Sequence, residues 1–318
     1  GYIPRSKTSS FATIDITVNS PIGAPARLTL DRGTEFTTTI NDKQYVFTVL
    51  ETQTIAPVGG VYKFSNVKIN QGILKSTFYV VDSFDDYQYY EIQDLNCDRE
   101  TITVKVKESL SATLSDVYTL AKDFTKVNSE SKAYYIQEAV SERFEIYFGD
   151  GITSKKLDAG NVVQIEWLST AAEEGNGATI FTLNGNIQGN TNVTISTISK
   201  SDSGSDRESN DSIKFNAPLT YIAQNRVVTP DDYRAAILEN YSNIESIAVW
   251  GGEQNDPPQY GKAYISIKPR DGETLDDVEK QKIKDQILKP RNIVSIIPEI
   301  VDPEYTYLKL EVFYKYNP

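Results

Sequence analysis

Short runs in which every second residue is apolar fill the first two thirds of the chain. Residues 13–18 (Thr-Ile-Asp-Ile-Thr-Val) set the pattern, and 27–30, 36–40, 44–49, 77–81 and 101–106 repeat it. A period of two puts alternate side chains on one face, as in a half-buried strand. Asp31-Arg32-Gly33-Thr34 and Gly59-Gly60 separate the runs as turns, and Asn41-Asp42 reads as a hairpin tip. The pattern predicts a β-sandwich or barrel-like domain over residues 1–109. A second β-rich domain is expected over 110–203. It holds strands at 144–148, 162–167 and 179–183, with a tight turn at Gly149-Asp150-Gly151. Within it, Leu114, Val117, Ala121 and Phe124 have helical spacing and predict a short helix, against a loop signal at Asn128-Ser129-Glu130-Ser131.

Residues 199–209 are almost wholly polar and predict a linker into a third domain, 204–318. A helix is expected from Asn210, broken at Pro218. Thr229-Pro230-Asp231-Asp232 has the features of a helix start: a hydroxyl to cap, a proline whose missing N–H costs nothing, and carboxylates at the positive end of the dipole. Asp232 stands at the capping-box spacing from Thr229. Tyr233, Ile237 and Tyr241 give that helix one apolar stripe. Strands are predicted at 244–250 and 262–267, joined by an exposed loop at 251–258. Thr274, with Asp277 in the capping-box position, predicts another helix start. Leu275, Val278, Ile283 and Ile287 face inward there, and Pro290 ends the helix. Strands at 294–301 and 305–316 close the domain. The expected fold class is therefore multidomain β plus α+β: sandwich or barrel-like parts followed by a small α+β domain.

Composition narrows the chemistry. The net charge of −12 repels phosphate backbones, so nucleic-acid binding is not expected. No apolar run is long enough to span a bilayer, and no membrane contact is expected. The single cysteine, Cys97, excludes a disulfide within the chain and reads as an inert thiol. There is no histidine, which removes the commonest general base and the commonest metal ligand. No phosphate-binding loop or dinucleotide fingerprint is present, and 44 acidic residues leave no carboxylate pair to single out. No catalytic residue, cofactor or metal site is predicted. The chain begins at Gly1 without an initiator, and a fragment or processed product is expected.

Gly204-Ser-Asp206-Arg-Glu208-Ser209 followed by Arg226-Val-Val-Thr229-Pro-Asp-Asp232-Tyr233 resembles the signature of the baseplate J-like proteins of contractile phage tails. Phe148-Gly149-Asp150-Gly151, then Gly160, Trp167 and Gly175-Asn176-Gly177, is similar to the β part that precedes it in that family. The acidic, tyrosine-rich character resembles the large baseplate wedge subunits of T-even-type phages, of which this chain would be a C-terminal fragment. The resemblance implies a structural, non-enzymatic subunit of the virion, made in the host cytoplasm. It implies a homodimer that forms rings in the assembled baseplate, contacts with other wedge proteins, and rearrangement on sheath contraction.

Two residue sets stand out. Arg226, with Asp206 and Glu208, is read as an Arg–carboxylate clamp that fixes the angle between the β part and the α+β domain; the alternative is a solvated surface. Thr229, Asp232 and Tyr233 join this structural set. Tyr79, Tyr87, Tyr89 and Tyr90, beside Asp82, Asp85 and Asp86, form a candidate interaction surface; the alternative, ring edges packed beside a solvated acidic loop, is favoured. A β-rich carbohydrate-binding or fibre-attachment module using these tyrosines is the competing function, and a lytic enzyme with a carboxylate pair is a third.

Overall fold

The computed structural model describes residues 4–19, 23, 25–82, 88–121, 127–223, 226–241, 244–269, 272–293 and 295–305. The chain divides into two compact units, Gly1–Ile213 and Lys214–Pro318.

The first unit is built on two large sheets. One has six strands in the order β14-β3-β4-β6-β1-β15: β1 is Phe11–Asn19, β3 Glu35–Ile40, β4 Lys43–Val49, β6 Val61–Gln71, β14 Thr182–Asn184 and β15 Val193–Asp202. A short ribbon of β2 (Leu28–Leu30) and β5 (Gln53–Ile55) lies apart from it in the pairing. The alternation in β1 does what its period requires: Ala12, Ile14, Ile16 and Val18 are buried, with Phe36, Phe47, Tyr62, Phe64, Val67 and Ile69 beside them. Each such side chain contributes roughly 1.5–3 kcal/mol by leaving water. Asn41 and Asp42 form the hairpin tip with positive φ of 49° and 62°.

The pattern reading missed β6, the longest strand of this sheet. Its apolar phase slips by one residue, from Tyr62 and Phe64 to Val67 and Ile69. A β-bulge absorbs the slip where the register with β1 shifts between Ile14 and Ile16, and Asn66 adopts φ 55°. Asp15 Oδ1 accepts the Asn66 N–H at 2.9 Å and holds the bulge.

The second sheet has seven strands in the order β7-β13-β9-β10-β11-β12-β8. These are β7 (Ile73–Val80), β8 (Tyr90–Glu91), β9 (Cys97–Lys107), β10 (Asp116–Leu120), β11 (Ala133–Glu138), β12 (Phe144–Phe148) and β13 (Val162–Ser169). Its core gathers Ile92, Val104, Tyr134, Ile146, Val163, Ile165 and Trp167. The helix expected near residues 114–124 is absent among the described residues; Phe124 lies outside them. Val117 sits in β10 with its side chain exposed, while Tyr118 opposite Val104 is buried. Pairing to β9 and β11 overrides a weak helical spacing.

The sheets do not follow the divisions at 109/110 and 203/204 expected from composition. Strand β15 pairs with β1, and β13 lies between β7 and β9, so both sheets draw on both β segments. Residues 199–209 are not a solvated linker either. β15 runs to Asp202, and Ser201, Ser203 and Glu208 are buried. Small polar side chains here fill a hydrogen-bonded seam: Ser201 Oγ donates to the Gly175 carbonyl at 2.6 Å and accepts the Ala178 N–H at 2.7 Å.

Helix α1 (Asn210–Ala223) continues through Pro218, contrary to the expected break. An interior proline removes one helical hydrogen bond and bends a helix without necessarily ending it.

The second unit packs helices against a three-stranded sheet, β16-β17-β18: β16 is Ser246–Gly251, β17 Lys262–Lys268 and β18 Ile297–Val301. β16 runs antiparallel to β17, and β18 parallel to it. Helix α2 (Pro230–Asn240) starts with the capping box read from the sequence. Thr229 Oγ1 accepts the Asp232 N–H at 3.3 Å, and Asp232 Oδ2 accepts the Thr229 N–H at 2.9 Å. Tyr233 and Ile237 are buried in the core with Ile265, Ile267, Ile283 and Leu288. Thr229→Ala should therefore cost about 1 kcal/mol, seen as a lower urea midpoint with unchanged slope.

Two expectations in this unit are corrected. Helix α3 (Asp277–Lys282) is capped by Asp276, not Thr274: the Asp276 side chain accepts the Glu279 N–H at 2.7 Å. That places Val278 in solvent, 77% exposed, while Leu275, Ile283 and Ile287 are buried as expected. A π-helical turn, Ile283–Leu288, follows and stops before Pro290. The strand expected at 305–316 lies outside the described residues, apart from Tyr305.

Candidate functional site

Between the two apolar cores of the first unit runs a buried polar joint. Strand β6 passes into β7 through one residue, Gly72, and so changes sheet. The Gly72 N–H donates to the Val46 carbonyl at 2.8 Å, and Thr48 Oγ1 donates to the Gly72 carbonyl at 2.6 Å. Its φ of 137° is open to glycine, and a Cβ there would lie 2.6 Å from the Ser169 carbonyl oxygen. Next to it, Gln71 Oε1 accepts from Thr170 Oγ1 at 2.7 Å and from the Ala171 N–H at 2.8 Å.

A second line crosses at Asp98, which is 1% exposed. Its Oδ2 accepts the Ser9 N–H at 2.8 Å and Ser9 Oγ at 2.7 Å; its Oδ1 accepts the Glu100 N–H at 3.1 Å. Asn70 Nδ2 donates to Ser9 Oγ at 3.0 Å. Burial raises the Asp98 carboxyl above its ordinary range, partly offset by these donors. Asp94 is the contrasting case. Burial alone would raise it, but Lys75 Nζ at 2.8 Å, the Trp167 indole N–H at 3.0 Å and the Asn96 N–H at 2.9 Å win, and its pKa falls to about 2. Between them Cys97 is buried, and its thiol is pushed far up by burial and by both aspartates. A thiol held protonated in this way is unreactive.

Beside the joint opens a cleft of about 500 Å³ lined by Lys7, Lys43, Tyr45, Gln71, Glu174 and Asp206. Its charges face each other: Lys43 meets Glu174, which also accepts Tyr45 Oη at 2.8 Å, and Lys7 stands 3.9 Å from Asp206. Among the described residues no group of three or more His, Cys, Asp or Glu could hold a metal ion, and no helix is long and apolar enough to cross a membrane. The arrangement offers directed hydrogen bonds between sheets, which fix an angle, and no activated nucleophile.

The residues singled out from sequence divide. Asp206 faces Lys7. Glu208 is buried, accepting the Arg5 N–H at 3.2 Å and Ser212 Oγ at 2.7 Å. Arg226 is exposed just ahead of buried Val227. Thr229, Asp232 and Tyr233 organise the start of α2, and the Tyr233 hydroxyl donates to Asn292. The tyrosine set separates. Tyr90 is buried, and Tyr79 packs on it at 5.3 Å between ring centres, its hydroxyl donating to the Glu91 carbonyl at 2.5 Å. Tyr89 is 52% exposed and begins a ladder with Tyr147 at 5.5 Å and Tyr135 a further 5.2 Å on. Tyr87, Asp85 and Asp86 lie outside the described residues. Arg207, which no sequence signal marked, reaches Glu138, and Glu142 Oε2 at 3.2 Å. The aspartates of the joint also went unmarked, because their partners lie up to 89 residues away.

Residues 78–171 match the family model described as bacteriophage baseplate wedge protein gp6, third domain. That span takes in the strands of the seven-stranded sheet from the end of β7 through β13. Residues 229–301, from the α2 cap to the end of β18, match baseplate structural protein gp6, C-terminal domain I. The chain is 26% identical over 347 positions to baseplate wedge protein gp6 of Enterobacteria phage T4, covering 100% of this chain and 50% of that protein. Among solved structures it is similar to a chain of the anti-feeding prophage baseplate, at 10% identity and TM-score 0.34, covering 96% of this chain and 59% of that one. It is also similar to a chain of the type VI secretion TssK-TssF-TssG baseplate subcomplex, at 5% identity and TM-score 0.37, covering 83% and 82%. The baseplate J-like resemblance remains a reading of the sequence. The chain spans about half the length of its curated relative, and its two matched segments and full-length alignment are to the gp6 baseplate wedge protein family.

Proposed function

We propose that this chain is a structural subunit of a contractile phage tail baseplate wedge. On this reading it self-associates as a homodimer, joins neighbouring wedges into a ring with other wedge proteins, and rearranges as rigid bodies when the sheath contracts. It is a virion component assembled in the host cytoplasm. The observation that carries the reading is the pair of gp6 domain matches, over the seven-stranded sheet and over the α+β unit. The buried polar joint supports it, because directional bonds hold two sheets at one angle, as a part that transmits force requires. The Arg226 clamp with Asp206 and Glu208 belongs to the same proposal. The glycan-binding alternative loses support, since Tyr79 and Tyr90 serve the core and leave Tyr89 as the exposed member among the described residues.

Sedimentation equilibrium of the purified chain should give a dimer, and titration with other wedge proteins should end at a fixed stoichiometry. A strictly monomeric chain at high concentration that ignores those proteins would defeat the proposal.

A further inference from the structure

Glycine follows asparagine twice in this chain, at Asn176-Gly177 and at Asn184-Gly185. Asparagine is a chemically labile residue. Before glycine it is most so, because no Cβ hinders attack of the next peptide nitrogen on the side-chain amide. The fold treats the two pairs oppositely. Asn176 Oδ1 accepts the Gly204 N–H at 2.9 Å, and its Nδ2 donates to the Gly204 carbonyl at 3.0 Å. The Gly177 N–H is itself committed to the Ser201 carbonyl at 2.7 Å. Asn184 is exposed and ends β14, a strand of three residues at the edge of the six-stranded sheet. Among the described residues its side chain makes one bond, on the surface, from Nδ2 to Glu35 Oε2 at 2.9 Å. Gly185 then leaves the strand with φ 104°, and nothing lies within 4 Å of where a Cβ would stand. Its N–H has no backbone acceptor among the described residues.

We propose that Asn184 is a deamidation site, at which the folded chain converts an edge residue to aspartate and isoaspartate with water as co-reactant. The Gly185 nitrogen attacks Asn184 Cγ. The N–Cγ bond forms, the Cγ–Nδ2 bond breaks, and ammonia leaves with the proton lost from the Gly185 nitrogen. Water then opens the cyclic imide. Attack at Cγ restores the main chain with an aspartate side chain; attack at the backbone carbonyl leaves the main chain running through Cγ, as isoaspartate. The sum is asparagine plus water giving either acid plus ammonia. The position gives the reaction a consequence. Asn184 stands directly opposite Glu35 in the ladder. Its product sets a carboxylate where an amide donated, so the bond is lost and like charges meet across the strands. Strand β14 pairs with β3 alone, and Leu183 is the residue it lays against the core. Deamidation therefore loosens this edge of the sheet as the protein ages.

Peptide mapping by mass spectrometry tests this on the purified chain, aged in mildly alkaline buffer with and without urea. In the folded chain, conversion at Asn184 should run about tenfold faster than at Asn176. In urea the two rates should meet, because only the shared Asn-Gly sequence is left. Both acids should appear at position 184. Asn184→Asp carries one product from the start. It should speed amide hydrogen exchange in residues 182–184 about fivefold and leave Val163 and Ile165 unchanged. Asn176 keeping pace with Asn184 in the folded chain would overturn the proposal. So would an Asn184 that stays intact while the urea-unfolded chain converts, or aspartate formed without isoaspartate. Exchange in 182–184 that is the same in Asn184→Asp and the wild type would overturn the loosening of the edge.

Discussion

Gly72→Ala should destabilise the first unit by about 4 kcal/mol, the sum of roughly 1–3 for backbone strain and 1–3 for forced overpacking. The backbone at φ 137° rarely accepts an L side chain. The added methyl would also stand 2.6 Å from the Ser169 carbonyl oxygen and 2.8 Å from Leu168 Cγ. Ser169 cannot retreat, because β13 pairs it with Ile73 on one side and Cys97 on the other. Nor can Gly72 move away: Val46 and Thr48 hold both its peptide groups. For a unit of this size the loss is a fall in Tm of roughly 10 °C. Gly160→Ala is the control. Its φ of 87° is also positive, but a Cβ there meets nothing within 4 Å. It should cost about 1–2 kcal/mol, the conformational part alone. Equal losses in the two variants, by urea titration, would show that close packing at the sheet change contributes nothing.

Where strands stack their apolar residues without interruption, the sequence was enough to find them. β1 alternates cleanly, and Thr229 with Asp232 announces α2 before any tertiary contact is needed. The losses have separate physical causes. β6 hid behind its bulge, because a slip of one residue at Asn66 erases a period of two. Leu114 and Val117 mimicked a helix, yet both are exposed, and the burial of Tyr118 in a strand decides the local structure. Thr274 has the cap spacing, but Asp276, two residues later, takes the free N–H of Glu279. Serines in 199–209 were read as solvated, since composition cannot tell a serine that meets water from one that fills a joint. The joint itself was invisible for the same reason. Ser9 and Asp98, or Gln71 and Thr170, meet only after two sheets have formed. Its directional bonds are a property of topology, and short-range pattern carries no trace of them.

Asp94 should show the second large effect, and in a way that separates it from Asp98. Its carboxylate joins β7, through Lys75, to β13, through Trp167, and closes its own turn on Asn96. Asp94→Ala leaves a buried indole N–H without its acceptor, a loss of about 2–3 kcal/mol, while the half-exposed Lys75 ammonium turns to water. Asp94→Asn can still receive one donor and should cost about 1–2 kcal/mol. The pH dependence fixes the sign. The folded pKa of about 2 lies below the ordinary 3.8, so the carboxylate stabilises the fold above about pH 4. That contribution, roughly 2–2.5 kcal/mol, drains away as pH falls from about 4 to about 2. Asp98 runs the other way. Its raised pKa favours the fold when the group is protonated, and that share is lost as pH rises through the folded value, with Glu100 as the nearby like charge. Urea titrations at pH 3 and pH 7 should therefore find the wild type weaker at the lower pH, and the deficit reduced in Asp94→Asn. A deficit of the same size in Asp94→Asn would mean that the acid sensitivity comes from other carboxylates and that Asp94 is held no more tightly than a surface ion pair.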